Sequence, residues 1–209
     1  MIGVWSFGAV AFVTVSCVAI WGWLRSRKYQ RLATVDPLTG LPNFREFEQR
    51  LRQELSRAKR HERDLALLWI DLDHFKQVND RFGHAGGNEV LAEVGRRLSQ
   101  LARQEDLPVR LGGEEFILLL PDTSLCGAES VAVKVLTEIR QTIHLSNHQV
   151  LQVTASVGVA SLVEVGEVDL LTAADAAMYR AKALGRNRYC FASGETVREL
   201  LQSLTDSGG

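Results

Sequence analysis

The segment Arg110-Leu-Gly-Gly-Glu-Glu-Phe116 places two acidic residues directly after a glycine pair, between two short apolar runs. Those runs, residues 107–111 and 116–120, predict two strands joined by a turn at the glycines, which is a β-hairpin. A second acidic segment begins at Asp71, where the continuous apolar run 65–71 predicts a buried strand that ends in a carboxylate. A fold that brings the two acidic segments together would create a site for a divalent metal ion.

These two segments contain four candidate metal ligands: Asp71, Asp73, Glu114 and Glu115. Magnesium takes hard oxygen ligands and is usually held by one or two carboxylates together with substrate phosphates. The glycine pair has no Cβ, so its backbone can come close to a bulky ligand, while Lys76 and Asn79 supply a cation and an amide. This combination indicates a nucleoside triphosphate as the ligand. Acidic residues also end many strands as ordinary solvated groups, so the residue pattern alone leaves that interpretation open.

The apolar pattern predicts an α+β fold. Apolar residues at three- and four-residue spacing predict helices over residues 25–60, 88–101, 125–143 and 169–184. Apolar runs predict strands at residues 65–71, 107–111, 116–120, 150–161 and 187–191. We expect a central, mostly antiparallel sheet flanked by helices, similar to the palm of nucleotide polymerases. In such a sheet the strand that ends at Asp71 lies beside the Gly-Gly hairpin.

Composition limits the classes of protein that remain. The 209 residues suffice for one domain of ordinary size and an appendage. With 46% hydrophobic and 23% charged residues, the chain can form a packed core. The net charge of −1 provides no basic field, so no nucleic-acid partner is expected. The three cysteines are scattered without a Cys-x-x-Cys pair, which argues against a zinc or disulfide framework.

Residues 2–24 contain no charged side chain and predict one transmembrane helix in front of the domain. A helix of that length extends about 34 Å, enough to cross a bilayer, and tryptophans lie near both ends. Basic residues follow from Arg25, so the positive-inside rule places the rest of the chain in the cytoplasm, with almost nothing outside. A cleaved signal peptide is the alternative, but it would have a basic start and a shorter apolar stretch.

The hairpin is one of several segments that resemble the GGDEF domain of diguanylate cyclases, here with the sequence Gly-Gly-Glu-Glu-Phe. Five further segments resemble that family's motifs and follow its order: Asp36–Asn43, Asp71–Asp80, Gly83–Leu91, Ala155–Ala160 and Ala173–Asn187. The resemblance covers about residues 34–192. It implies a GGDEF catalytic domain over 36–192. The residue patterns outside it predict an anchor over 1–24, a helical linker over 25–35 and a flexible tail over 193–209.

The resemblance implies the condensation of two GTP molecules into cyclic di-GMP, with release of two pyrophosphates, by a homodimer that uses Mg²⁺ or Mn²⁺. Asp71, the carbonyl of Leu72 and Glu114 would ligate the metal. Glu114 would accept the proton of the attacking hydroxyl with Glu115 as a helper. Lys76 would stabilise negative charge in the transition state, although an ordinary surface lysine at a helix start would look the same.

The resemblance also assigns residues to the substrate. The backbone N–H groups of His74 and Phe75 would hold the terminal phosphates. Further contacts with GTP would come from Asn79, His84, Asn88, Gly112, Gly113, Lys182 and Arg186. Most of the family has aspartate where this chain has Asn88, and an amide matches only part of the guanine edge. Alternatively, Asn88 caps a helix that begins at Glu89.

Two of these assignments have structural alternatives. Lys182 and Arg186, four residues apart, would share one helix face toward the phosphates, or would only cap a helix that stops at Gly185. Arg103 and Asp106, with five residues between Asp106 and Gly112, resemble the family's product-inhibition site. An exposed ion pair at a helix end would give the same pattern.

Three other functions stay open beside the cyclase. A catalytically weak or silent GGDEF domain would act as a cyclic di-GMP receptor through Arg103 and Asp106. A different palm-type cyclase would make a single-nucleotide cyclic product. A membrane-tethered scaffold would leave both acidic segments unexplained. Tyr179, on the last predicted helix, is expected to lie in the core.

Overall fold

The computed structural model describes residues 34–165 and 170–192. The predicted anchor (2–24), nearly all of the linker (25–35) and the tail (193–209) lie outside these ranges. None of the helices within the described ranges has the length and apolar character that crossing a membrane requires.

Five helices and seven strands make up the described ranges. The helices are α1 (Phe44–His61), α2 (Phe75–Leu101), α3 (Leu125–Ile139), α4 (Leu162–Val165) and α5 (Leu170–Ala183). The strands are β1 (Leu65–Leu72), β2 (Leu107–Gly112), β3 (Glu115–Pro121), β4 (Ile143–His144), β5 (Val150–Leu151), β6 (Ala155–Ser161) and β7 (Arg188–Phe191). The main sheet has the order β2-β3-β1-β6-β7, and only the β6–β7 pair is parallel. This confirms the predicted α+β fold with a mostly antiparallel sheet.

Strand β1 lies at the centre of the sheet and sorts its side chains onto two buried faces. Ala66, Leu68, Ile70 and Leu72 join a core with α2 and α3, while Leu65 and Leu67 join a second core with α1 and α5. Asp71 continues the second series at the end of the strand. Its carboxylate is therefore placed on the face that α5 covers.

Helix α2 begins thirteen residues earlier than the sequence predicts, at Phe75 instead of residue 88. Gly83 interrupts it with φ 71° and ψ 168°, so two helical segments are joined by a sharp kink. The apolar spacing of one straight helix does not continue across the kink, so the sequence pattern did not reveal the first segment. Asn88 lies inside α2, so the interpretation of Asn88 as a helix cap is wrong.

Two predicted elements are shorter than expected because a small hairpin lies between them. The helix predicted over 125–143 ends at Ile139, and the strand predicted over 150–161 divides into β5 and β6. Strands β4 and β5 pair with each other in a separate two-stranded sheet. Ile143 and Leu145 extend the apolar pattern, but they are buried as part of this hairpin.

Arg97 on α2 closes the C-terminal end of α3. Its guanidinium donates to the carbonyl oxygens of Glu138 and Gln141, both at 2.8 Å, and of Thr142 at 2.9 Å, and also to Glu93 on its own helix. A helix end leaves its last carbonyls without partners inside the helix, and a buried guanidinium supplies them here.

We expect Arg97→Met to lower the free energy of unfolding by about 2 kcal/mol, because the substitution leaves buried carbonyls without donors. Chemical denaturation measures the change. Arg96→Met is the matched control: its side chain is 53% exposed and pairs only with its own helix, so a loss under about 1 kcal/mol is expected. Equal losses for the two variants would contradict this account of Arg97.

Candidate functional site

The two acidic segments adjoin each other at one end of the sheet. Asp71 lies directly opposite Glu115 in the β1–β3 register. The backbone N–H of Leu72 donates to the carbonyl of Glu114 at 3.3 Å, which fixes the end of β1 against the turn. The structure therefore brings together the residues that the sequence analysis selected as metal ligands.

The turn between β2 and β3 requires its glycine pair. Gly112 has φ 153° and Gly113 has φ 53°, and a bulge between Arg110 and Gly112 shifts the register. No atom lies within 4 Å of the position that a Cβ would take at either glycine. The outer side of the turn is thus open to a bulky ligand.

Arg110 connects this turn to the first motif of the domain. Its guanidinium donates to the carbonyl of Gly113 at 2.8 Å and to the carboxylate of Asp36 at 3.0 Å. Asp36 also accepts from the N–H and the hydroxyl of Thr39. Burial alone would raise the pKa of Asp36, but the bonds from Thr39 and Arg110 hold that pKa below its ordinary value. Asp36 is therefore a charged anchor for the turn.

Asp71 is a buried carboxylate that faces a cation. The Lys182 ammonium lies 2.7 Å from its Oδ2 atom. Burial raises the pKa of Asp71, Lys182 opposes that rise, and the charges of Glu114 and Asp73 add to it. The neighbouring carboxylates make this an environment that favours a positive ion, and in this structure the Lys182 ammonium supplies that positive charge.

These surroundings fit a magnesium or manganese ion that substrate phosphates complete. Within the described ranges, no cluster of three or more His, Cys, Asp or Glu side chains is arranged to hold a metal by itself. Asp71 and Glu114 are two carboxylates, and Mg²⁺ is commonly bound by one or two carboxylates together with phosphate oxygens. The donor set thus suits a metal that arrives with a nucleotide.

The other two candidate ligands are engaged elsewhere. Asp73 accepts hydrogen bonds from Thr154, Ser156 and Asn187. Glu115 accepts a long bond of 3.4 Å from the indole of Trp69. Asp71 and Glu114 are therefore the remaining candidate pair, and Asp71 would have to exchange its bond with Lys182 for a metal.

The first turn of α2 lies beside the end of β1. His74 precedes the helix in a left-handed conformation with φ 57°, and its side chain makes no capping bond. Phe75 is buried in the core, so only its backbone can face a ligand, whereas Lys76 is exposed. Both backbone N–H groups belong to a helix N-terminus, which favours anions.

The residues predicted to read the base lie on both sides of the kink in α2. Asn79 lies in the first helical segment, His84 directly after the kink and Asn88 in the second segment. A Cβ on Gly87 would overlap with Oδ1 of Asn79. The side chain of Asn79 therefore depends on a glycine at position 87.

The predicted helix face shared by Lys182 and Arg186 is wrong. Helix α5 ends at Ala183, and Gly185, Arg186 and Asn187 all have positive φ values. Only Lys182 lies on the helix, while Arg186 lies in a left-handed turn after it. The predicted stop at Gly185 is confirmed. Tyr179, expected in the core, is 71% exposed on α5.

Arg103 and Asp106 lie in the loop between α2 and β2. The Oδ2 atom of Asp106 accepts from the backbone N–H of Arg103 at 2.8 Å. Its Oδ1 atom is buried and has no hydrogen-bond partner, and burial raises the pKa of this carboxyl. The exposed Arg103 is therefore the group at this loop that a polar ligand could reach.

Comparison of the sequence with models of known protein families identifies the family to which this palm-like domain belongs. The family model described as "Diguanylate cyclase, GGDEF domain" matches residues 33–188. The chain belongs to the GGDEF family. The resemblance seen in the sequence is thereby confirmed.

Relatives of this GGDEF chain include bacterial signalling enzymes. It is 40% identical over 186 residues to the bifunctional diguanylate cyclase/cyclic di-GMP phosphodiesterase MucR of Pseudomonas aeruginosa. That match covers 87% of this chain and 27% of MucR. The chain thus spans about a quarter of that curated relative.

Two solved GGDEF structures share the fold. The GGDEF domain of TpbB from Pseudomonas aeruginosa has a TM-score of 0.76 and 38% identity, and the match covers 80% of this chain and 99% of that one. The GGDEF domain of DgcB from Caulobacter crescentus, solved in complex with c-di-GMP, has a TM-score of 0.72 and 29% identity. The second match covers 76% of this chain and 93% of DgcB's.

The sequence analysis of this GGDEF domain missed two sets of residues. The Asp36–Arg110 ion pair joins motifs more than 70 positions apart, although the Asp-Pro-x-Thr sequence does signal a turn in which Asp bonds its own backbone. Thr154 and Asn187, which bind Asp73, carry no local signal at all. Their role depends on strand and loop positions that only the folded sheet defines.

Proposed function

We propose that this protein is a diguanylate cyclase, which condenses two GTP molecules into cyclic di-GMP and releases two pyrophosphates. The observation that carries the proposal is the meeting of Asp71 and Glu114 beside the open Gly112-Gly113 turn, with a lysine at contact distance from Asp71. MucR is named as a diguanylate cyclase, and its similarity to this chain supports the same chemistry here.

Asp71, Glu114 and the carbonyl of Leu72 would hold Mg²⁺ or Mn²⁺. When bound, the metal would stabilise charge on the phosphate oxygens and lower the pKa of the attacking hydroxyl. The 3′-hydroxyl of one GTP would attack the α-phosphorus of the other, and pyrophosphate would leave. The 3′-hydroxyl of the second nucleotide would then attack the α-phosphorus of the first, which closes the ring and releases the second pyrophosphate. Glu114 would take the hydroxyl proton, assisted by Glu115.

The cations and the helix N-terminus would bind the triphosphate. The N–H groups of His74 and Phe75 point from the start of α2 as anion donors. Lys76 would neutralise charge as the bond to pyrophosphate breaks. Lys182 and Arg186 would contact phosphates from the opposite side, and Lys182 would exchange its bond with Asp71 for a phosphate oxygen.

Guanine would lie beside the kink of α2. Asn79 and Asn88 supply amide groups for its edge, and His84 lies between them in sequence. Asn88 stands where most of the family has aspartate and offers a single acceptor oxygen. This difference favours weaker guanine binding, which is the observation that supports a receptor as the second candidate function.

We expect Gly87→Ala to raise the KM for GTP by about tenfold while kcat changes little. The new methyl group would displace the Asn79 carboxamide from its place, and a site loses binding energy when a hydrogen-bond partner is removed. Steady-state kinetics measure the effect. In an Asn79→Ala background, the same substitution should cost almost nothing further, and full additivity of the two losses would contradict the assigned role of Gly87.

Catalysis would require two copies of the chain, because each domain holds one GTP and the two must face each other. The membrane segment and residues 25–35 would favour this pairing. Chemical crosslinking at saturating GTP tests it. Dimers are expected, and a product formed by strictly monomeric chains would contradict the proposal.

The chain would be held at the bacterial inner membrane by residues 2–24, with the GGDEF domain in the cytoplasm. The uncharged stretch and the basic residues after it support this placement. Fractionation of cells that express the chain tests it: the protein should sediment with membranes and be released by detergent but not by salt.

Cyclic di-GMP would inhibit the enzyme at Arg103 and Asp106. An arginine can fork onto a phosphate or stack on guanine, and the Arg103 side chain is exposed next to the Asp106 carboxylate. That the DgcB GGDEF domain was solved with c-di-GMP supports product binding by this fold.

We expect Arg103→Ala to keep the parental initial rate but to lose inhibition at high product, with the inhibitory concentration raised about tenfold or more. Product titration of the initial rate measures it. Inhibition of the variant at the parental product concentration would show that Arg103 has no part in the regulation.

Identification of the product tests the proposed function. The purified chain is incubated with GTP, or with ATP, and Mg²⁺, and the products are analysed by mass spectrometry. Cyclic di-GMP formed from GTP supports the cyclase. Binding of cyclic di-GMP without turnover would indicate the receptor, and a single-nucleotide cyclic product would indicate another cyclase.

A further inference from the structure

We propose that Asp73 is a positioning residue for the triphosphate: its carboxylate joins the two left-handed backbone turns that would hold the phosphates. The proposal rests on the proposed function, because it assigns Asp73 to the same GTP site. It also gives Asp73 a different part from that of Asp71, although both lie at the end of β1.

Asp73 is a buried carboxylate whose oxygens are fully used within the protein. It is only 5% exposed. The hydroxyls of Ser156 and Thr154 donate to its two oxygens, each at 2.7 Å. The backbone N–H of Asn187 donates to Oδ2 at 3.0 Å. One side chain thus ties the end of β1 to the start of β6 and to the turn before β7.

Both backbone segments next to Asp73 are in a conformation that L-residues seldom adopt. His74, directly after Asp73, has φ 57°, while Arg186 and Asn187 have φ 63° and 47°. A left-handed conformation is unfavourable for most non-glycine residues, with asparagine a partial exception. Such residues persist where the surrounding structure over-determines them, commonly at functional sites.

The bonds of Asp73 hold these two turns in place from one point. The Asp73 carboxylate accepts a hydrogen bond from the backbone N–H of Asn187, which directly follows Arg186. The backbone N–H of Asp73 donates to the carbonyl of Thr154 at 2.8 Å. This second bond fixes the backbone that leads into His74 and the first turn of α2. A shift of either turn would move a phosphate-binding group relative to the other.

Position 73 needs a side chain that can form these hydrogen bonds, and it does not need a negative charge that binds a metal. An asparagine could keep its amide oxygen on Thr154 and Asn187 and donate its amide to the Ser156 hydroxyl. Alanine would remove every one of these bonds. If Asp73 instead held the metal, asparagine and alanine would be equally damaging.

The test measures binding of two nucleotides to the full chain in detergent with Mg²⁺. One is a GTP analogue with a methylene group between its α- and β-phosphates, which cannot release pyrophosphate. The other is GMP, which lacks the terminal phosphates. We expect Asp73→Ala to weaken binding of the triphosphate at least tenfold and binding of GMP less than twofold. Asp73→Asn should stay within about threefold of the parent, with the Mg²⁺ concentration for half-maximal binding unchanged.

A double substitution, Thr154→Val with Ser156→Ala, keeps the carboxylate but removes the two hydroxyls that orient it. The same selective loss of triphosphate binding, at least threefold, is expected of it, so the test holds even if Asp73→Ala does not fold. Equal losses for both nucleotides, no loss in the double variant, or a changed Mg²⁺ requirement in Asp73→Asn would overturn the role of Asp73. A parent chain that binds neither nucleotide would overturn the proposed function itself.

Discussion

Glu114→Gln is expected to lower the rate of cyclic di-GMP formation by at least about a thousandfold. The substitution removes a negative charge from a site where Asp71 is the other metal carboxylate, and it removes the proposed proton acceptor. Charge stabilisation by a bound metal is worth several kcal/mol in a transition state, and each 1.36 kcal/mol is a factor of ten in rate. Turnover of GTP by the purified full chain measures the loss.

Glu138→Gln is the matched control, because Glu138 is exposed on α3 and uses only its backbone carbonyl, toward Arg97. Parental turnover is expected of it. Thermal unfolding of Glu114→Gln should stay close to that of the parent, because Glu114 lies at an open turn. If the Glu114→Gln enzyme retained a tenth of parental activity, the assignment of Glu114 as a metal ligand would be wrong.

Gly158→Ala is expected to destabilise the domain by about 3 kcal/mol or more. Gly158 lies in β6 under helix α5, and a Cβ there would overlap with the carbonyl oxygen of Ala174 and the N–H of Met178. These are backbone atoms of a packed helix, so no side-chain rotation relieves the overlap. Overpacking a well-packed core costs typically about 1–3 kcal/mol and sometimes more. Chemical denaturation measures the change.

Gly127→Ala in α3 is the control for the same chemical change. The nearest atom to its Cβ is a methyl carbon of Thr123 at 3.0 Å, a tight side-chain contact that a shift of a few tenths of an ångström relieves. Alanine is about 1 kcal/mol more favourable than glycine inside a helix, so a neutral or slightly stabilising effect is expected. A Gly158→Ala protein as stable as Gly127→Ala would show that α5 does not rest on β6 as described.

The activity of Gly158→Ala should fall even where the protein remains folded. Lifting α5 from the sheet would move Lys182 away from Asp71, since Lys182 lies near the end of the same helix. The loss of stability and the loss of activity therefore share one cause.

The sheet and the meeting of its acidic ends could be predicted from the sequence, because local patterns specify them. The apolar run before Asp71 is long enough to mark a buried strand, and the glycine pair marks a tight connection between two others. Once those strands pair, the end of β1 lies against the turn. The catalytic and binding roles of the site residues came from the resemblance to the family's motifs, because local sequence patterns do not indicate such roles.

The rest depends on contacts between residues far apart in the chain. The hydrogen bond from Asn187 to Asp73 spans 114 positions. No sequence pattern near either residue predicts this bond. The kink at Gly83 was missed because three glycines within five positions, Gly83, Gly86 and Gly87, are as typical of a loop as of a broken helix. The helix face assigned to Arg186 failed because the spacing rule holds only while the helix continues.

Binding of Mn²⁺ tests the central claim most directly, namely that Asp71 and Glu114 jointly hold one cation. Electron paramagnetic resonance measures free Mn²⁺ in the presence of the methylene GTP analogue for the parent, Asp71→Asn, Glu114→Gln and the double variant. Each single substitution is expected to weaken binding at least tenfold, and the double variant should bind more weakly than either, because both residues serve the same ion. Parental Mn²⁺ affinity in either single variant would contradict the claim.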